Sequence, residues 1–230
     1  MTDFTQRLAI AYSKRKQISA NRYSLLNPAT LYMAQGREKG VLRILKDKCA
    51  VNLSGKLILD VGCGSGGGLL DFVRYGANPK NLYGIDLLPE RVKSAEQKLP
   101  YSNIYQGDAA SGLPWPDSRF DIATQLTVFT SILEMDVKQA LAKEIIRVLK
   151  PKGFLLWYDF HFDNPSNKDV KGVKKAEIEQ LFPRCVVSLE RITLAPPLSR
   201  LIAPYSTICC ALLEKMKFLN THYIGYIQKP

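Results

Sequence analysis

Residues 57–68 read LILDVGCGSGGG, and this stretch decides how the rest of the chain is read. An aliphatic run of strand length ends in an aspartate, and positions 62–68 then hold five glycines. A strand running into glycines describes a strand-to-helix turn, where a missing Cβ lets a ligand approach the backbone. Gly62, Gly64 and Gly67 also satisfy GxGxxG, so the glycines locate a nucleotide-type ligand and leave its class open.

Charge separates the classes. A nicotinamide dinucleotide sets an anionic pyrophosphate on the helix N-terminus, and Asp60, two residues before the first glycine, would repel it. The sulfonium and ammonium of S-adenosylmethionine suit a carboxylate at that place. Further along, YGIDLL puts Asp86 24 residues after Gly62, where an acidic side chain accepts hydrogen bonds from ribose hydroxyls in either class. Leu87 would lie against the adenine. In YQGDAAS, Asp108 is placed to take the exocyclic amine of adenine and the Ala109 amide to meet a ring nitrogen.

Outward from this stretch, strand and helix signals alternate. Strands are predicted at 57–61, 81–85, 102–106, 120–126, 153–160, 185–194 and 221–228. Helices are predicted at 1–20, 28–48, 67–75, 89–98, 136–149 and 174–182, with Pro28 suited to a first helical turn. Strands separated by helices imply right-handed crossovers and a mostly parallel, doubly wound α/β sheet, which binds ligands at the carboxyl ends of its strands. Residues 1–50 are expected to form an N-terminal helical lid, 51–195 the cofactor-binding core, and 196–230 a helical insertion with the closing strand of the same domain.

The 230 residues carry a net charge of +11 and 46% hydrophobic residues, ordinary globular composition with a bias toward anionic partners. Lysines and arginines cluster at Lys14, Arg15, Lys16 and Arg22, and again at Lys168, Lys171, Lys174 and Lys175. Five cysteines without a CxxC pattern fit neither a disulfide framework nor a zinc site. The N-terminus has no apolar core of signal-peptide length, and no apolar stretch reaches the ~20 residues of a membrane span. A cytoplasmic setting, with peripheral membrane association as a variant of it, is the expectation.

In their order, LDVGCGSGG, YGIDLLPERV, QGDA, LPWPDSRFDIATQ and LKPKGFLLWYD resemble the class I S-adenosylmethionine-dependent methyltransferases over roughly residues 55 to 160. The resemblance implies a Rossmann-like seven-stranded sheet with its last strand antiparallel, S-adenosyl-L-methionine as cofactor and S-adenosyl-L-homocysteine as product. The flanks RYSLLNPATLYMAQGRE and WYDFHFDNPSN resemble bacterial methyltransferases associated with glycan, polysaccharide or natural-product assembly. Carried over by position, Asp60, Gly62, Gly64 and Gly66 surround the methionine part, Asp86 and Leu87 the nucleoside, and Asp108 and Ala109 the adenine. Gln125 lines the sulfonium side. Tyr23, Tyr32, Gln35 and Arg37 are lid candidates, with Arg37 able to pair with the methionine carboxylate.

Methyl transfer needs a protein base only when the acceptor has a proton to lose, as a hydroxyl does. Asp159 and His161 follow the fifth strand and are the candidate catalytic residues, His161 for its unperturbed pKa near 6.5 and Asp159 as base or substrate anchor. Two ligands are too few for a metal site, so no metal is expected. Glu134 and Asp136 read as caps of the next helix, Thr127, Phe129 and Thr130 as the border of the acceptor pocket, and Trp115 as packing.

The leading acceptor is a hydroxyl of a sugar, glycan intermediate or other small natural product, with Trp157, Tyr158, Phe160 and Phe162 suited to stacking on a sugar ring. The insertion LAPPLSRLIAPYSTICCALLEKMKFL supports a lipid or quinone acceptor at a membrane surface instead. Nucleic acid is disfavoured, because TQLTVF stands where amino-methylating enzymes of nucleic acid carry an Asn-Pro-Pro-Tyr type of motif. A non-catalytic cofactor-binding subunit is disfavoured by the intact set Asp60, Asp86 and Asp108. Nothing in the sequence speaks to oligomeric state.

Overall fold

The computed structural model describes Arg7, Ile10 and residues 22–49, 52–163 and 167–230. Apart from those two positions, the helix expected over 1–20, with Lys14, Arg15 and Lys16, lies outside the described residues. Seven strands form one sheet: β1 (Ile58–Val61), β2 (Leu82–Asp86), β3 (Asn103–Gln106), β4 (Phe120–Leu126), β5 (Leu149–Phe160), β6 (Val186–Leu194) and β7 (Asn220–Gln228). Their spatial order is β3-β2-β1-β4-β5-β7-β6. Pairings among β1 to β5 are parallel, and β7 runs antiparallel to both β5 and β6.

The helices are α1 (Pro28–Cys49), α2 (Gly67–Arg74), α3 (Pro89–Lys98), α4 (Met135–Val148), α5 (Lys175–Leu181), α6 (Pro196–Ile202) and α7 (Thr207–Lys215). Helices on both faces explain why β1 is buried along its whole length, since a strand covered twice has no solvent side. Leu59, Val61, Ala123, Leu155 and Trp157 pack toward α4 and α5, whose Leu141, Ala142, Ile145, Ile178 and Leu181 form the facing stripe. Ile58, Leu82, Ile122, Leu156 and Tyr158 pack toward α1 and α2 through Val41, Ile44, Leu45, Leu69 and Phe72. Full burial of one such side chain stabilises the fold by about 1.5–3 kcal/mol. The carboxyl half of α1 is therefore a layer of this core.

One boundary differs from the sequence reading in an instructive way. β5 begins at Leu149 instead of 153, because Leu149 pairs with Phe120 before the ladder shifts register and resumes at Ile122 and Phe154. Lys152 takes a left-handed backbone, φ 63°, inside that irregular stretch. The insertion after β6 resolves into α6, α7 and a 3₁₀ turn at Lys217–Leu219.

The strand order reverses at β1: β2 and β3 lie on one side of it, β4 and β5 on the other. Loops leaving the carboxyl ends of β1 and β4 diverge there, and the crevice they open is the ligand site of such sheets.

Candidate active site

The crevice is real: a cavity of ≈ 200 Å³ opens at this edge. Val61 and Gly62 after β1, Asp86 and Leu87 after β2, and Asp108 and Ala109 after β3 all border it. Leu126, Thr127, Val128, Ser131 and Ile132 close it from the β4 side. Arg91 of α3 and Leu141 of α4 also contribute.

The glycine turn has left-handed backbone at Gly62 (φ 69°), Gly64 (φ 56°) and Gly66 (φ 81°). Space is also short. A Cβ on Gly62 would stand 2.6 Å from Val128 Cγ2, and one on Gly64 would stand 2.7 Å from Arg91 Nη2. The turn hangs on β2, where the amides of Gly62 and Cys63 both donate to the Ile85 carbonyl, at 2.9 and 3.0 Å. Gly64 donates its amide to Asp86 Oδ2 at 2.8 Å, and Leu88 its amide to Oδ1 at 3.0 Å. Asp86 thus ties the glycine turn to the loop after β2. Each of its oxygens retains a second lone pair for a ligand hydroxyl. Asp108 is held by its own turn, accepting from Ala110 N and Ser111 Oγ, both at 2.9 Å.

Asp60 is buried on the other face of β1, toward α1 and α2. Its Oδ2 lies so close to the start of α2 that a Cβ on Gly68 would meet it at 2.9 Å. Burial first, and then the neighbouring Asp86, pushes its carboxyl up to about 8, against the pull of Arg37. Beside it in register stands Thr124, whose buried Oγ1 has no hydrogen-bond partner among the described residues. A buried carboxylate under mutual repulsion with its neighbour is a site that a cation relieves.

The remaining candidates are placed differently from expectation. Gln125 does not border the cavity: it is fully buried on the α4 side, and its Oε1 accepts from Val128 N at 3.0 Å. It shapes the cavity wall through Val128. Arg37 lies between α1 and α2, 3.9 Å from Asp71 and with its guanidinium 5.7 Å from the Tyr158 ring centroid. Asp159, expected at the strand exit, is fully buried. Thr130 donates its hydroxyl to Oδ1 at 2.7 Å and its amide to Oδ2 at 3.2 Å, while Phe160 N donates to Oδ1 at 2.9 Å. Burial outweighs these bonds and pushes its carboxyl up to about 7.

His161 sits 2.9 Å through Nε2 from the Asn220 carbonyl, its ring against Tyr223, and desolvation lowers its pKa. Phe129 and Thr130 are buried and do not line the cavity, although Thr127 does. Glu134 stands at the N-cap position of α4 without capping it, engaging Arg7 at 3.2 Å instead. Trp115 packs edge-to-face with Tyr83, Tyr105 and Phe120. Tyr23 and Gln35 are exposed. Tyr32 hydrogen-bonds Glu214 of α7. Arg91, which sequence reasoning passed over, stands two residues after Pro89 in LLPERV and reaches Asp86 at 3.9 Å.

Left-handed glycines after β1, Asp86 and Asp108 on the cavity, Asp60 buried behind the glycine turn and an uncharged wall after β4 suit a cationic nucleoside cofactor better than a pyrophosphate. This fold and this site resemble those of the S-adenosylmethionine-dependent methyltransferases. Residues 59–157 match the family model described as "Methyltransferase domain". A phthiotriol/phenolphthiotriol dimycocerosates methyltransferase of Mycobacterium leprae is 37% identical over 120 residues, covering 51% of this chain and 42% of the relative. A sterol 4-C-methyltransferase of Caenorhabditis elegans is 33% identical over 120 residues, covering 49% and 34%. The chain thus spans less than half the length of these curated relatives. Among solved structures, an S-adenosylmethionine-dependent methyltransferase of Archaeoglobus fulgidus shares the fold with a TM-score of 0.57, at 17% identity over 86% of this chain and 98% of that one.

Proposed function

We propose that the chain transfers a methyl group from S-adenosylmethionine to a small, largely apolar acceptor of the lipid or natural-product type, with a hydroxyl as the acceptor group. The observation that carries this is the convergence of Gly62 of the glycine turn with Asp86 and Asp108 on one cavity whose β4 wall is mostly apolar. When bound, the cofactor supplies an electrophilic methyl already activated by its sulfonium. Asp86 takes the ribose hydroxyls with the lone pairs left over from Gly64 and Leu88. Ile85, Leu87 and Ile132 enclose the adenine, and Asp108 and Ala109 face its edge. Asp60, buried behind the glycine turn with Arg37 nearby, would offer its carboxylate to the cationic end.

The acceptor side has little that suits a sugar. Trp157 and Tyr158 are closed into the core, so their rings are withheld from stacking. Phe162 is exposed and alone is a poor platform. The relatives named for phthiotriol dimycocerosates and for a sterol support an apolar acceptor. For a hydroxyl acceptor, positioning carries much of the rate. Asp159 acts in this reading through Thr130, holding the turn that carries Ser131 and Ile132, and His161, just past the end of β5, is the candidate to accept a proton.

Calorimetric titration with S-adenosylmethionine and with NADH tests the cofactor: NADH binding without S-adenosylmethionine binding ends the proposal. Labelled methyl transfer into a bacterial extract, partitioned between organic and aqueous phases, tests the acceptor. Label confined to the aqueous phase replaces an apolar acceptor by a sugar-like one. Asp159→Asn and His161→Gln should each spare cofactor binding, and unchanged turnover in both moves the chemistry elsewhere.

A further inference from the structure

The insertion after β6 has two unlike faces. Inward, Ala203 and Cys210 pack with Leu194 and with Ala29 of α1, joined by Tyr32, Leu198 and Leu213. Outward, Leu201 is 67% exposed, Tyr205 89%, Ile208 73% and Phe218 74%. On α7, Ile208 and Leu212 are four residues apart and share one helix face, opposite the buried Cys210. Leu26, 92% exposed, and Tyr23 add to this surface from the turn before α1, where Arg22 and Tyr23 interact electrostatically with Arg200 of α6. Large apolar side chains gathered outward are not typical of a free monomer surface and mark a place of association.

Charge identifies the partner. Residues 22–31 and 195–219 together contain a single carboxylate, Glu214. It is turned inward, bonded to the Tyr32 hydroxyl and accepting from Thr193 N at 2.8 Å. The same segments carry the cations Arg22, Arg200, Lys215 and Lys217, of which Arg22 and Arg200 are close enough to interact and Lys217 donates to the Arg191 carbonyl at 3.1 Å. A second copy meeting this face through a two-fold axis would oppose cation to cation. An anionic bilayer complements both the apolar side chains and the cationic rim, each Lys or Arg near such a surface adding about 1 kcal/mol.

Topology puts this surface at the same edge of the sheet as the cavity, with β5 and β7 between β4 and β6. β6 is antiparallel to β7, and β7 to β5, so β6 runs parallel to β5. Its carboxyl end, from which α6 and α7 emerge, therefore lies at the same edge of the sheet as the carboxyl ends of β1, β2 and β4. Among the described residues no helix is long and apolar enough to cross a membrane, and α6 and α7, seven and nine residues long, suit shallow seating. We propose that the outer face of α6 and α7, with the turn before α1, docks the protein onto an anionic lipid bilayer with the mouth of the cavity at the membrane surface. The docking goes beyond the proposed reaction and does not depend on it.

Co-sedimentation of the full chain with sucrose-loaded vesicles tests this without turnover. Vesicles of phosphatidylcholine with one-third phosphatidylglycerol should retain the protein, and phosphatidylcholine alone should retain roughly tenfold less. Ile208→Glu and Phe218→Glu, both at exposed positions, should each lower binding to the anionic vesicles by roughly tenfold while the thermal unfolding temperature stays unchanged. The charge reversal Lys80→Glu/Lys152→Glu, near the amino ends of β2 and β5 at the opposite edge of the sheet, should retain most of the binding. Protein left in the supernatant with anionic vesicles overturns the proposal. So does loss of binding on the Lys80/Lys152 reversal with Ile208→Glu still bound. Concentration-dependent dimers abolished by Ile208→Glu, without vesicle binding, would assign the face to a second copy instead.

Discussion

The substitution Asp60→Asn isolates the electrostatic tension on which the cofactor site rests. The carboxyl titrates near 8 in the fold and near 3.9 in an unfolded chain. Between those values the folded state holds a proton that the unfolded state has lost, so stability falls as pH rises from about 4 to about 8 and is flat above. About four pH units at ~1.4 kcal/mol each give a linkage of about 6 kcal/mol. Reorganisation around the ionised group brings the expected change to about 2–4 kcal/mol.

An amide in place of the Asp60 carboxyl cannot ionise, so the variant should match the wild type near pH 4 and exceed its stability by about 2–4 kcal/mol at pH 8 and above. Urea unfolding of both proteins at pH 4, 6, 8 and 9 measures this, and titrating groups that do not interact with Asp60 cancel in the difference. Saturating S-adenosylmethionine should restore the wild type at pH 8 and stabilise the variant less, because the cation gains the carboxylate only in the former. Stability curves that run parallel from pH 4 to 9 would refute the reasoning, since Asp60 would then titrate alike in both states.

The other predictions are narrower. His222 stacks on Tyr158 at 4.7 Å between centroids, and burial holds its pKa down to about 3. Its neutral form is the folded form, so stability should drop as pH falls from about 6.5 toward 3. His222→Gln should lower the acid-unfolding midpoint, followed by circular dichroism, by roughly one pH unit. Gly64→Ala forces a Cβ into left-handed backbone at φ 56°, costing about 1–2 kcal/mol. Thermal unfolding should register that loss, and calorimetry a weaker cofactor; an unchanged melting temperature and affinity would mean that the turn tolerates a side chain.

Much of the fold was legible because its signals are local. The apolar runs at 58–61 and 120–126, the Pro-led starts of α1 and α3 and the glycines after β1 act within a few residues of themselves, so elements and order followed from sequence. The start of β5 did not, because Leu149 joins the sheet through a register shift against Phe120 that no periodicity encodes. The site divides in the same way. Asp86, Leu87, Asp108 and Ala109 follow strand ends and border the cavity as their positions imply. Gln125 and Asp159 also follow the rule for strand ends, yet Val128 and Thr130 fold back and take their polar atoms.

By itself the sequence determined a strand, a carboxylate and a glycine turn, and from their charge the kind of cofactor. Chain-local chemistry suffices for that, because Asp60 and the glycines are covalently held within a few bonds of each other. Only the tertiary structure decided which carboxylates face the cavity and which lie sealed under Thr130, and that the insertion after β6 presents its apolar side chains at the same edge of the sheet as the site. Those outcomes depend on which distant backbone and side-chain groups meet across the sheet, and register and packing over the whole domain set that.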